Sequence, residues 1–170
     1  KEAKRFVDRF SKAFAKVPDT RMLFNNKSQD ILRIAEEMMK GEVFFKAGEQ
    51  AKGLAHLRKA VELDDGLAYE EPWGWPQPAR HALGALLMEV GKYGEAESVY
   101  RADLGLDGKL PRPRQHPQNV WALHGLHECL QRRNDTVELP HVTLLLDQAR
   151  ARADIQILSS CLCRSDTNNK

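Results

Sequence analysis

The stretch Pro78–Leu106, "PARHALGALLMEVGKYGEAESVYRADLGL", decides the fold. Its apolar residues recur at helical rather than alternating spacing, which predicts a helix up to about Val90 and a second one through Ala96, Val99 and Tyr100. Gly91 stands between them, and glycine is the residue that ends helices in a left-handed turn. Two amphipathic helices joined at a glycine read as an antiparallel hairpin.

The same grammar recurs on both sides. Upstream, "SQDILRIAEEMMKGEVFFKAG" opens with Ser28 as an N-cap, places Ile31, Ile34, Ala35 and Met38 on one face, and closes at Gly48. It is followed at once by "QAKGLAHLRKAVELDDG", with Leu54, Leu57, Ala60, Val61 and Leu63 in register. Downstream, "NVWALHGLHECLQRRN" precedes "LPHVTLLLDQARARADIQIL", whose Pro140 suits a first helical turn. The opening "KEAKRFVDRFSKAFAKVP" puts Phe6, Val7, Phe10, Ala13 and Phe14 on one face before Pro18 stops it. No run alternates with period two between hairpin turns, so no sheet is expected. Repetition of helical hairpins at this scale marks a solenoid.

These residues resemble tetratricopeptide repeats. The second unit matches through Leu83-Gly84, Leu87, Gly91, Ala96 and Tyr100, with Asp103 where the last small residue belongs. The first matches through Gly41, Phe44, Gly48, Leu57 and Ala60, with Lys40 in place of leucine and Gly53 at the small position. The third matches through Trp121 and Gly125, with His124 at the leucine position and Glu128 at the aromatic one. The N-terminal helix is similar to the second helix of a preceding unit, through Phe10, Ala13 and Pro18. Gly41, Gly84 and Gly125 lie 43 and 41 residues apart, whereas the family period is about 34. Each gap therefore carries a proline-broken insertion, "AYEEPWGWPQP" and "GLDGKLPRPRQHP". Taken over most of its length, the chain resembles a group of bacterial and fungal repeat proteins of this kind. The resemblance implies an all-α, right-handed helical-hairpin solenoid of about three repeats, residues 1–157, with residues 158–170 as a tail.

Composition excludes several classes. Lysine and arginine outnumber aspartate and glutamate by only 26 to 24, and the one basic cluster, Lys109, Arg112 and Arg114, sits in a proline-broken loop. Nucleic acid is therefore not an expected partner. No apolar run approaches the roughly 18 residues of a membrane span, and no apolar leader opens the chain. The chain starts at Lys1 without methionine and reads as the C-terminal part of a longer one. Cys129, Cys161 and Cys163 are too few and too odd in number for a disulfide framework, which points to the cytoplasm. No phosphate loop, Ser-His-Asp signature or His-Glu-x-x-His motif occurs, so no reaction is legible and whether the protein is an enzyme stays open.

The resemblance turns the first helix of each hairpin towards a concave groove. It places Met38, Glu42 and Phe45 of the first unit there, and His81, Ala85 and Met88 of the second. Chaperone-tail binders of this family hold a carboxylate with lysines and asparagines at such sites. Met38, Glu42, His81 and Ala85 stand at those positions, so the clamp is absent. Trp73 and Trp75, set among Pro72, Pro76 and Pro78, either fill the gap between repeats or cap the groove. On a helical wheel Leu123, Leu126 and Leu130 share one side of their helix with Ala122 and Cys129, while His124, His127 and Glu128 share the other. The leucine stripe and the repeat pattern thus demand burial of opposite faces. Two functions follow. The first is a scaffold that binds a protein or peptide in the groove. The second is a metal-binding or metal-dependent protein whose divalent ion is held by Glu42, His81, His124 and His127. Cys161 and Cys163 are close enough to chelate a soft metal but lack a second pair.

Overall fold

The structure, a computed structural model, describes residues 2–164. Lys1 and the end of the polar tail, residues 165–170, lie outside the described residues. The elements are α1 (Glu2–Phe14), β1 (Met22–Leu23), β2 (Asn26–Lys27), α2 (Ser28–Lys46), α3 (Gln50–Gly66), α4 (Ala79–Glu89), α5 (Tyr93–Leu104), a 3-10 turn (Arg112–Arg114), α6 (Val120–Arg132) and α7 (Leu139–Arg150). Among the described residues the architecture is all-α apart from one minimal strand pair. Among the described residues no helix is long and apolar enough to cross a membrane. The chain forms two compact units, Lys1–Ala79 and Arg80–Lys170.

The first unit is built on the α2–α3 hairpin. Gly48 adopts φ 89°, which lets its own N–H reach Phe45 O at 3.0 Å and Glu49 N–H reach Phe44 O at 2.9 Å, closing the end of α2. The two helices approach closely at Gly41, where a Cβ would fall 2.6 Å from Leu57 Cγ. Ile34, Met38, Phe45, Leu54, Leu57 and Ala60 form the core beneath. α1 packs on α2 without any fully buried side chain and is tied by Ser11 Oγ donating to Glu36 Oε1 at 2.7 Å.

One expectation needs correction here: Met22–Leu23 and Asn26–Lys27 pair as antiparallel strands. Two residues per strand are too few to show alternation, so periodicity could not reveal them. The pair receives the first insertion. Asn26 Nδ2 donates to Ala68 O at 3.0 Å, while Ala68 N–H donates to Asn26 Oδ1 at 2.7 Å. Glu70 Oε1 accepts from Asn25 N–H and Asn26 Nδ2, both at 2.7 Å. The insertion is thus held as ordered backbone although it contains no helix.

The second unit centres on Tyr100 of α5. Its ring lies against Gly84 of α4 and Gly125 of α6, and a Cβ at those glycines would come within 2.6 and 2.5 Å of Tyr100 Cε1. Around it Leu86, Leu87, Leu123, Leu126, Leu130 and Leu146 are fully buried. Each such side chain contributes roughly 1.5–3 kcal/mol relative to exposure. Asn119 caps α6 by accepting from Trp121 N–H at 3.0 Å and Ala122 N–H at 3.2 Å. Asp135 Oδ1 accepts from Val137 and Glu138 N–H ahead of α7, whose Pro140 lies in the first turn. Arg101 of α5 grips both oxygens of Glu138 and reaches Glu97 Oε1 at 2.8 Å. α7 stops at Arg150, earlier than the apolar pattern through Ile157 implies. Beyond it, residues 151–164 run without regular structure.

Candidate functional site

Asp103 is fully buried and accepts two imidazoles: His81 Nε2 of α4 at 2.9 Å on Oδ2, and His116 Nδ1 of the second insertion at 2.8 Å on Oδ1. Burial alone would raise its carboxyl. The hydrogen bonds and charges of His116 and His81 outweigh that and hold it at about 2. The carboxylate is therefore ionised at neutral pH and can only accept, so each ring donates through the bonded nitrogen. His116 N–H also donates to Asp103 O at 2.6 Å. The cluster fixes both tautomers and ties the second insertion to α4 and α5. His81 is only 4% exposed, so this arrangement acts as a brace rather than as a base facing solvent.

A second constellation lies on α5 and α6, where Ser160 and Arg164 of the irregular chain meet them. Tyr100 Oη and Ser160 Oγ share a hydrogen bond of 2.5 Å. Burial pushes the Tyr100 phenol well above its ordinary range, so it stays neutral. Arg164 grips Glu128 with both guanidinium nitrogens, Nη2 lying 2.8 Å from Oε1. Burial alone would raise the Glu128 carboxyl, but Arg164 brings it below its usual range. Ile157, Ser160 and Cys161 are buried. Cys161 and Cys163 are joined to each other in a disulfide with only Leu162 between them. Cys129 is instead a buried thiol of α6 that donates to Met88 Sδ at 3.2 Å, with burial and then Glu97 pushing it up to about 12.

The residues assigned to the groove are placed as follows. Met38, Phe45, His81, Ala85 and Met88 are buried. Glu42 is half-buried beside a hollow of about 350 Å3 lined also by Ala3, Lys4, Val43, Lys46 and Ala47, and burial raises its carboxyl. Trp75 is half-buried and donates from Nε1 to Met38 Sδ at 3.1 Å, while Trp73 is 45% exposed. The first insertion therefore presents one tryptophan outward and turns the other onto α2.

Of the four residues assigned to a metal, His81 is committed to Asp103. His124 and His127 are half-buried on α6, and their rings are held below the ordinary histidine range by burial first and then by the Arg150 charge. His124 Nδ1 is buried without a hydrogen-bond partner. Among the described residues, His81, His124 and His127 do not bring three ligand atoms within 4.8 Å of one another. On the α6 wheel the leucine face is buried and the opposite face, His124, His127 and Glu128, is half-buried. Leu123, Leu126, Leu130 and Cys129 are buried, and so is Gly125 against Tyr100. Glu128 is covered by Arg164, which comes from 36 residues away.

Sequence reasoning passed over Asp103, His116, Ser160 and Arg164 as functional positions. The signal for Asp103 was present, because a carboxylate at a small-residue position of a repeat demands partners. Ser160 and Arg164 carried none, since neither lies in a periodic segment. Comparison with known proteins finds no matching family model, no matching curated protein and no matching solved structure.

Proposed function

We propose that this chain is a helical-repeat scaffold of tetratricopeptide type, and that its second unit binds an extended segment of a protein or peptide partner. The glycine notches at Gly41, Gly84 and Gly125 and the glycine-closed hairpins at Gly48 and Gly91 support the repeat reading. One observation carries the binding reading. Helices α5 and α6 hold irregular chain at Ser160 and Arg164 by side-chain anchors, through Tyr100 and Glu128. Faces of packed helices that grip extended chain in this way suit peptide recognition, since specificity then rests on a few placed groups.

The reading is tested by panning a random peptide display library against the full chain. Peptides should be enriched whose capture is lost in the Glu128→Ala variant. A library that yields no peptide captured by the wild-type chain and lost in Glu128→Ala would sink the scaffold.

A further inference from the structure

We propose that residues 157–164 are a cis-bound ligand of the second unit, displaced by a partner segment with the same spacing of an apolar residue, a hydroxyl and an arginine. The inference rests on the scaffold reading above and names the ligand of that site.

The anchors differ in chemistry and are evenly spread. Ile157 is buried, Ser160 meets the Tyr100 hydroxyl, and Arg164 meets both oxygens of Glu128. Between them the segment turns apolar side chains to solvent: Leu158 is 62% exposed and Leu162 fully exposed. A segment serving as core would bury its leucines before its serine. This one buries the serine beside Cys161 and Ile157 and leaves the leucines out, which is the pattern of a docked peptide read at a few chosen points. Its ties to α5 and α6 through Ser160 and Arg164 are side chain to side chain, so they can break without unpicking a helix.

The vacated site would also select its next occupant. Without Ser160 the Tyr100 hydroxyl is a buried group lacking its partner, and without Arg164 the half-buried Glu128 charge loses its bidentate cation. A buried hydroxyl without its partner and a carboxylate left with only Arg132, 3.9 Å away, disfavour ligands that cannot satisfy them. Arginine meets a carboxylate with a planar fork that lysine lacks, so the discrimination should fall between those two cations. A hydroxyl three residues after an apolar side chain, with arginine four residues further on, reproduces the spacing of Ile157, Ser160 and Arg164.

The test uses the full chain and a labelled synthetic peptide of residues 153–164 carrying Cys161→Ser and Cys163→Ser. The Arg164→Ala chain should bind this probe about tenfold more tightly than the wild-type chain, because its own segment competes less well. A probe carrying Arg164→Lys should bind that opened chain more weakly, and a Glu128→Gln chain should lose the distinction. Equal binding of the probe by wild-type and Arg164→Ala chains overturns the proposal, as does equal binding of the arginine and lysine probes. Should Arg164→Ala fail to fold, the charge-reversed pair Glu128→Arg with Arg164→Glu replaces it. Amide exchange across 157–164 should then be fast in either single variant and slowed again in the double one, and no such rescue overturns the proposal. Peptides without arginine emerging from display on the opened chain would refute this inference and leave the scaffold standing. No peptides from either chain would remove both.

Discussion

Gly125 of α6 leaves the space that the ring of Tyr100 fills, so close that a Cβ there would sit 2.5 Å from Tyr100 Cε1. Gly84 of α4 faces the same ring, so one aromatic of α5 reads two glycines 41 residues apart in sequence. Gly125→Ala should therefore cost about 1–3 kcal/mol through overpacking, and Gly84→Leu at least as much. Thermal unfolding of the two variants checks this. An unchanged midpoint for Gly125→Ala would refute the close approach.

Asp103 joins three segments of the second unit, and its removal should be felt in stability. Asp103→Ala leaves two imidazole N–H groups without their acceptor, at about 1–3 kcal/mol for each that stays buried. The carboxyl is depressed to about 2 in the fold, against an ordinary value of about 3.9. The unfolded chain therefore takes up this proton first on acidification. The stabilisation is complete above about pH 4 and is lost as pH falls towards about 2. Denaturant unfolding of the wild type and of Asp103→Ala across that range should show the difference between them shrinking at the acid end.

His124 should titrate below the usual histidine range, because burial and the Arg150 charge both disfavour its cation. Arg150→Ala is expected to raise its midpoint, as followed by ring-proton NMR. Here the unfolded state binds the proton more readily than the folded one, so this residue weakens the fold as pH drops through about 6.5. A His124 midpoint indifferent to Arg150 would remove that charge as a cause.

The two tryptophans of the first insertion should differ in emission. Trp75, half-buried with its indole N–H on Met38 Sδ, should emit to the blue of Trp73, which is 45% exposed. Variants retaining one tryptophan at a time, with Trp121 also replaced, separate them. Met38→Leu should redshift or broaden the Trp75 signal and leave that of Trp73 in place.

The helices themselves were legible because helix formation is local. Apolar spacing located α2 to α6, Gly48 and Gly91 marked the turns, and Pro140 marked the entry to α7. The notches at Gly41, Gly84 and Gly125 were legible too, since a glycine inside a helix carries a cost that close packing repays. What tertiary structure alone decided are pairings between residues far apart in the chain. Arg164 covers Glu128, Ser160 meets Tyr100, and His116 joins His81 on Asp103. The same holds for the end of α7: a helical pattern continues past Arg150, but the chain leaves the helix there and Ile157 becomes buried in irregular structure. The local preference for one more turn is worth only tenths of a kcal/mol per residue. A buried side chain and a bidentate ion pair outweigh it, and periodicity holds no record of contacts made across so many residues.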